Sequence, residues 1–291
     1  MTDPTHIYMN LDVVNNSTSK SQPLVFNETR NMPFLSNSED YFCSVVRFTL
    51  QTSNSLPVFI PDILLGQDNV DTTVYAISMA LTKYTTDAGG TITSDTYGAS
   101  KYIEYKPLDL TQPEPAPPQT EVDLSSQYYF IYNINDWVDM INNTFDLLTK
   151  DIIQKFQDGS ISLSFKKPFV QYDISSGLFS ICSDNAMDVV GSNGNYRLQI
   201  AFNSRLYNIL PFSSTLNAFP PLGAPFPDTV YWLNLVNKSN SNLTVVPSTG
   251  SNTDKYVTLQ TEFSPISIMN PIRNIYFTSN SLPVIPTLVS P

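Results

Sequence analysis

The feature that most limits what this chain can fold into is a dense succession of short segments with a period of two. Roughly a dozen such runs follow one another between Tyr41 and Phe277, separated by turn-forming residues, and only one stretch shows a helical period. In segment 41–50, Phe42, Val46, Phe48 and Leu50 fall on one face. In segment 73–81, Val74, Ala76, Ser78 and Ala80 alternate with Tyr75, Ile77, Met79 and Leu81. Further strands are predicted at 24–26, 101–105, 160–165, 169–174, 178–182, 196–202, 230–236, 243–246, 256–262 and 273–277. Alternation sends successive side chains to opposite faces, as a half-buried strand requires. Strands this short and this closely spaced leave no room for repeated strand–helix–strand units, so the pattern predicts an all-β sandwich or barrel.

The single helical stretch is well marked. Ile134, Trp137, Val138, Ile141, Phe145, Leu148, Ile152 and Phe156 recur at steps of three and four, Asn133 stands where an N-cap is wanted, and Gly159 follows as a C-terminal stop. Such a stripe is what a helix packed on a sheet needs. Asn142-Asn143-Thr144 is poor helix material and predicts a break there.

Between these elements the chain is punctuated. Residues 108–120 carry Pro113, Pro115, Pro117 and Pro118, which cannot pair in a central strand and favour an extended backbone. A linker and a surface loop both fit; a loop is the preferred reading. Asn15-Asn16-Ser17-Thr18-Ser19-Lys20 closes a stretch, 1–22, that reads as an N-terminal arm. Asn193-Gly194 supplies a turn, and Pro220-Pro221-Leu222-Gly223-Ala224-Pro225 breaks the chain again. Thr52-Ser53-Asn54-Ser55-Leu56-Pro57-Val58 recurs identically at 278–284, each copy after a predicted strand. A shared proline-stiffened exit and chance in a Ser/Asn-rich chain both account for it.

Residue usage removes most chemistry. His6 is the only histidine, which excludes Ser–His or Cys–His nucleophilic pairs and histidine zinc sites elsewhere in the chain. No phosphate-cradling glycine loop or nucleophile elbow is present. The net charge is −11 with no basic run, against a nucleic-acid partner, since phosphate binding needs clustered cations. No catalytic, cofactor or metal site is therefore predicted. Asp136 with Asp139 reads as helix-dipole compensation, Asp184 with Asp188 as solvation, and Asp62, Asp68 and Asp71 as too scattered for a calcium loop. Cys43 and Cys182 are too few for a disulfide framework; Cys43 reads as a small buried hydrophobe, with a single bridge as the alternative.

The start of the chain lacks a signal-peptide pattern, and no apolar run reaches the roughly 18 residues of a membrane-spanning helix. The expected setting is cytosolic or nuclear, where the Asn-x-Ser/Thr sequons at Asn16, Asn27, Asn142, Asn237 and Asn242 have no role. Only 14% of residues are charged, against roughly 25% in an average soluble protein, so the surface suits burial against copies of itself. An ordinary secreted β-protein fits that composition equally.

Two segments carry a family resemblance. Asn31-Met32-Pro33-Phe34-Leu35-Ser36-Asn37-Ser38-Glu39-Asp40-Tyr41, the strand 42–50 and Ser55-Leu56-Pro57-Val58-Phe59-Ile60-Pro61 resemble the opening of penton (vertex, minor capsid) proteins of virophages and Polinton-like DNA viruses. Segment 264–284 looks like that family's closing strand and tail. The likeness covers about a quarter of the chain. It implies a single jelly-roll β-sandwich with an additional insertion region and one helix, formed over 23–291 by both ends of the chain around a central insertion. It also implies a virion protein, assembled in the host cell as a homopentamer at the vertices of an icosahedral shell. Its partners there would be a major capsid protein, with a host receptor as a further candidate, and with no direct nucleic-acid contact and no membrane span. Strands 41–50 and 273–277 would then be neighbours, burying Val46, Phe48, Ile275 and Phe277. The alternative is a receptor- or carbohydrate-binding β-sandwich such as a fibre head or lectin, with Tyr128, Tyr129, Trp232 and Phe226 as candidate stacking platforms for sugars.

Overall fold

A computed structural model describes residues 41, 56–122, 127–157, 166–184, 195–217, 230–235, 243–247 and 253–272. Backbone contacts divide the chain into two compact units. One joins Met1–Leu50 with Ile275–Pro291, and the other comprises Gln51–Asn274. Apart from Tyr41, every described residue belongs to the second unit. The expected arm, the strands at 24–26, 41–50, 160–165 and 273–277, the Gly159 stop, the Asn193-Gly194 turn, Cys43, His6 and Phe226 lie outside the described residues.

The all-β class holds: two antiparallel sheets dominate the described residues. In the first, β2 (Ile92–Glu104), β1 (Thr72–Thr86), β5 (Asn195–Asn203), β7 (Val230–Leu233) and β6 (Ser214–Asn217) lie side by side in that order. In the second the order is β3 (Phe169–Asp173), β4 (Leu178–Asp184), β9 (Thr253–Gln260) and β8 (Leu243–Pro247). Three helices accompany them: α1 (Ile134–Gln157), α2 (Ser204–Ile209) and α3 (Ile266–Met269). The segment expected at 101–105 is the end of the much longer β2, whose first half, Ile-Thr-Ser-Asp-Thr, is exposed and polar and lacks a two-residue hydrophobic alternation. The short α2 and α3 and the four-residue β6 were not legible in the pattern.

α1 supplies the core. Trp137, Ile141, Phe145, Leu148, Ile152 and Phe156 are all buried, on the stripe that the sequence marks. They pack on β1 and β2 of the first sheet and on β3 of the second, so one apolar cluster spans both sheets and the helix. Register explains the match. Ile77, Met79 and Leu81 of β1 stand opposite Phe202, Ile200 and Leu198 of β5, and all six are buried in this cluster. Phe59, Tyr75 and Trp137 meet edge-on or tilted, with ring centroids 5.0–6.0 Å apart.

The predicted break in α1 does not occur. Asn142 is held by the second sheet: its side-chain amide donates to the Val170 carbonyl at 2.9 Å, and its side-chain oxygen accepts from the Val170 N–H at 2.7 Å. Thr144 is buried and donates back to the Met140 carbonyl at 3.0 Å. Tertiary hydrogen bonds thus outweigh a propensity cost of well under 1 kcal/mol per residue. Asn133 caps the helix as expected, its side chain accepting from the Asn135 N–H at 3.0 Å.

The other face of β1 is also buried, but by small residues. Ala76, Ser78, Ala80 and Thr82 line it, with Ser78 paired to Ser100 at 2.8 Å and Thr82 to Thr96 at 3.0 Å through their hydroxyls. At the end of β5, Asn203 pairs with Val230 of β7 while its side chain reaches the β1 backbone. Its side chain accepts from the Ala76 N–H, donates to the Val74 carbonyl and caps α2 by accepting from the Leu206 N–H.

Candidate assembly surface

The loops before β1 and after β2 meet at one end of the first sheet. Ile63 donates its N–H to the Glu121 carbonyl at 2.7 Å, and Tyr105 donates to the Asp71 carbonyl at 2.8 Å. Three tyrosines fill the space between them. The rings of Tyr105, Tyr128 and Tyr129 lie 5.0–5.7 Å apart at their centroids. Each hydroxyl has a partner: Tyr105 donates to the Tyr128 carbonyl, Tyr128 to Asp71 Oδ1 at 3.0 Å, and Tyr129 to the Val70 carbonyl at 3.0 Å. Paired hydroxyls remove the cost of burying them.

The charges here belong to the same scaffold. Burial raises the Asp71 carboxyl above its usual range; the Tyr128 hydroxyl pulls it back, and the charges of Glu114 and Glu104 add to the rise. Burial also raises Asp62, against the pull of the Arg205 guanidinium. Arg205, on α2, forks onto both carboxylate oxygens of Glu121 at 3.1 Å and stands 4.0 Å from Asp62. Asp62 and Asp71 therefore fix loops, while Asp68 is exposed.

Other singled-out residues fall into structural places too. Asp136 and Asp139 sit on the first turns of α1, where burial and the neighbouring Asp139 charge raise Asp136. Asp184, expected to be solvated, is instead buried, where it accepts the Lys166 N–H at 3.0 Å; Asp188 lies outside the described residues. Cys182 is a free thiol, not half of a bridge, and burial pushes its pKa up to about 12, which leaves it protonated and inert. Among the described residues no group of three or more His, Cys, Asp and Glu gathers, and no helix is long and apolar enough to cross a membrane.

The three candidate sugar platforms among the described residues pack against their neighbours, the commoner fate of such side chains. Tyr128 and Tyr129 are buried, because their rings pack on one another and on Tyr105. Trp232 is half-buried against Ala76, Ala201 and Val230, and its indole nitrogen is fully enclosed. Tyr128 and Tyr129 therefore offer no open face for stacking.

Exposed apolar side chains mark where this unit can meet other molecules. One group lies at the tyrosine end: Leu65, Leu108, Leu110 and Val122, with Leu110 85% exposed. Ile174 on the β3–β4 turn, Phe263 and Ile268 are exposed as well. That turn is tight. Asp173 accepts from both Ser175 and Ser176, which lowers its pKa to about 2, and Gly177 has φ +69°. The positive φ favours glycine, and a Cβ there would come 2.9 Å from Ser264 Oγ, so the serine hydroxyl would have to turn away.

The sequence profile of the Sputnik minor capsid protein V18/19 matches residues 7–291, nearly the whole chain. The chain belongs to that family. It is a structural capsid protein and its place is the virion. Uncharacterized protein V18 of Sputnik virophage is 31% identical over 131 residues, covering 43% of this chain and 70% of the relative. Among solved structures, a chain in the cryo-EM structure of the Sputnik virophage superposes with a TM-score of 0.58 at 21% identity, over 87% of this chain. This chain spans 65% of that solved chain's length. The mavirus penton protein matches with a TM-score of 0.26 at 13% identity, over 72% of this chain and 74% of its own. The resemblance to virophage minor capsid proteins, expected from the two ends alone, extends across the chain.

Proposed function

We propose that this minor capsid protein is the penton: it closes the fivefold vertices of an icosahedral shell as a homopentamer, surrounded by major capsid protein, without catalytic activity. The observation that carries this reading is the family match over 7–291. The division of the chain into a unit of both ends and a unit of the middle supports the accompanying domain layout. In that layout strands from both ends of 23–291 close a single upright jelly roll around a central insertion. A closed ring of identical subunits is heterologous, so each copy presents two different complementary patches. Low charge and exposed apolar side chains suit such a surface.

The test is mass measurement of the purified protein together with averaged images of particles. A pentamer in solution, and density for Gln51–Asn274 capping each vertex, is the expected result. A monomer that is absent from particle vertices overturns the proposal.

A further inference from the structure

The stretch 106–122 runs as a strap along the tyrosine end of the first sheet, and both of its anchors lie on the chain that leads into β1. At one anchor Tyr105 donates its N–H to the Asp71 carbonyl at 2.8 Å; at the other the Glu121 carbonyl accepts the Ile63 N–H at 2.7 Å. Hydrogen bonds from Thr111, Gln112, Gln119 and Thr120 stay within the strap. Each anchor sets one half-buried carboxylate against it: Asp71 at the first, and Asp62, next to Ile63, at the second.

The strap brings a negative charge to each of these carboxylates. Glu114, together with Glu104 at the end of β2, acts on Asp71, and Glu121 acts on Asp62. Attraction is thinner. Around Asp71 the Tyr128 hydroxyl donates at 3.0 Å, and the Tyr105 phenol lies within reach of its charge. Around Asp62 the Tyr75 hydroxyl supplies a hydrogen bond, while Arg205 stands 4.0 Å away and forks Glu121 at 3.1 Å. One guanidinium thus serves two carboxylates, with its shorter contacts on the strap. Two effects oppose closure at neutral pH: carboxylates are withdrawn from water, and like charges are brought together. Burial, the larger of the two, raises both carboxyls above their usual 3.8, so the closed form holds these protons more tightly than an open one. By linkage the extra hold on the strap is fully present below pH 3.8 and is lost as pH rises through the raised values.

We propose that residues 106–122 form a pH-responsive strap, drawn onto the tyrosine end when Asp62 and Asp71 are protonated and loosened when both are ionised. The strap carries the exposed Leu108 and Leu110, so the same proton uptake sets how firmly these apolar side chains are presented. The inference stands apart from the vertex reading, since every group in it lies within Gln51–Asn274.

The experiment is hydrogen–deuterium exchange on the full-length protein from about pH 7.5 to about pH 4.5, corrected for the intrinsic pH dependence of exchange. Amides of 105–122 are followed, with those of α1 as internal reference, in wild type, D62N/D71N and E114Q. In wild type, protection of the strap relative to α1 should rise about twofold or more toward the acid end. D62N/D71N keeps an oxygen for each tyrosine hydroxyl and cannot ionise, so its strap should be protected throughout and respond little to pH. E114Q changes only an exposed side chain and should raise strap protection at neutral pH; it decides alone if the double variant fails to fold. Wild-type protection that stays level or falls, or variants that follow wild type, overturns the proposal. So does a double variant less protected than wild type at neutral pH, because the ionised carboxylates would then be holding the strap.

Discussion

Two ends of the same sheet are held by different physics. Beneath α1, the first sheet is held by apolar bulk: Phe145, Leu148 and Phe156 pack on Ile77, Met79 and Leu81 with almost no polar atoms between them. Where the loops gather, tyrosine hydroxyls, carboxylates and Arg205 hold the chain through directed contacts. Burying a large apolar side chain stabilises by about 1.5–3 kcal/mol, whereas a hydrogen bond nets about 0.5–1.5 kcal/mol. The core therefore sets whether the unit folds, and the polar end sets where its loops stand. For a protein whose work is contact, the second is as consequential as the first.

The sharpest way to break this comparison is to empty the core. Phe145→Ala should cost about 3–5 kcal/mol in chemical denaturation, through lost transfer energy and the cavity left behind. A loss under about 1 kcal/mol would mean that α1 is not the keystone argued for above.

Asn203→Ala probes the border between the two regimes. It orphans the Ala76 N–H and the Val74 carbonyl inside the sheet and uncaps α2. Each orphaned buried group costs about 1–3 kcal/mol, and a lost cap about 1 kcal/mol. A drop of about 2–4 kcal/mol in the same denaturation measurement is expected, close to the core effect although no apolar group is removed.

Asp71→Asn should have the smallest effect, visible mainly in pH dependence. The Asp71 carboxyl is raised in the folded protein from its usual 3.8, so the fold binds that proton more tightly than the unfolded chain does. Its contribution is fully present below pH 3.8 and is lost as pH rises through the folded value. The amide keeps an oxygen for the Tyr128 hydroxyl and cannot ionise. Melting temperatures of wild type and variant, followed from pH 3 upward, should diverge in the variant's favour as pH rises. Parallel curves would show that Asp71 carries no such penalty.

Local pattern alone determined much of this protein. The two-residue alternation of 73–81 became β1, the three-and-four stripe from Ile134 to Phe156 became one helix, and the four prolines of 108–120 became a loop. These depend on neighbours in sequence, where side-chain periodicity and fixed φ act. Likewise, the shortage of histidine and basic runs pointed away from catalysis and nucleic acid before any fold was known. Only tertiary structure decided the rest. β1 and β5 are partners across more than a hundred residues, and no local signal specifies such a pairing. The polar first half of β2 is a strand because β1 offers it a ladder. Asn142 stays helical because Val170 binds it from another sheet, and Tyr128 and Tyr129 are inside because the loops before β1 and after β2 meet around them. In each case the deciding partner lies far along the chain, and its energy outweighs the weaker preference of the residue itself.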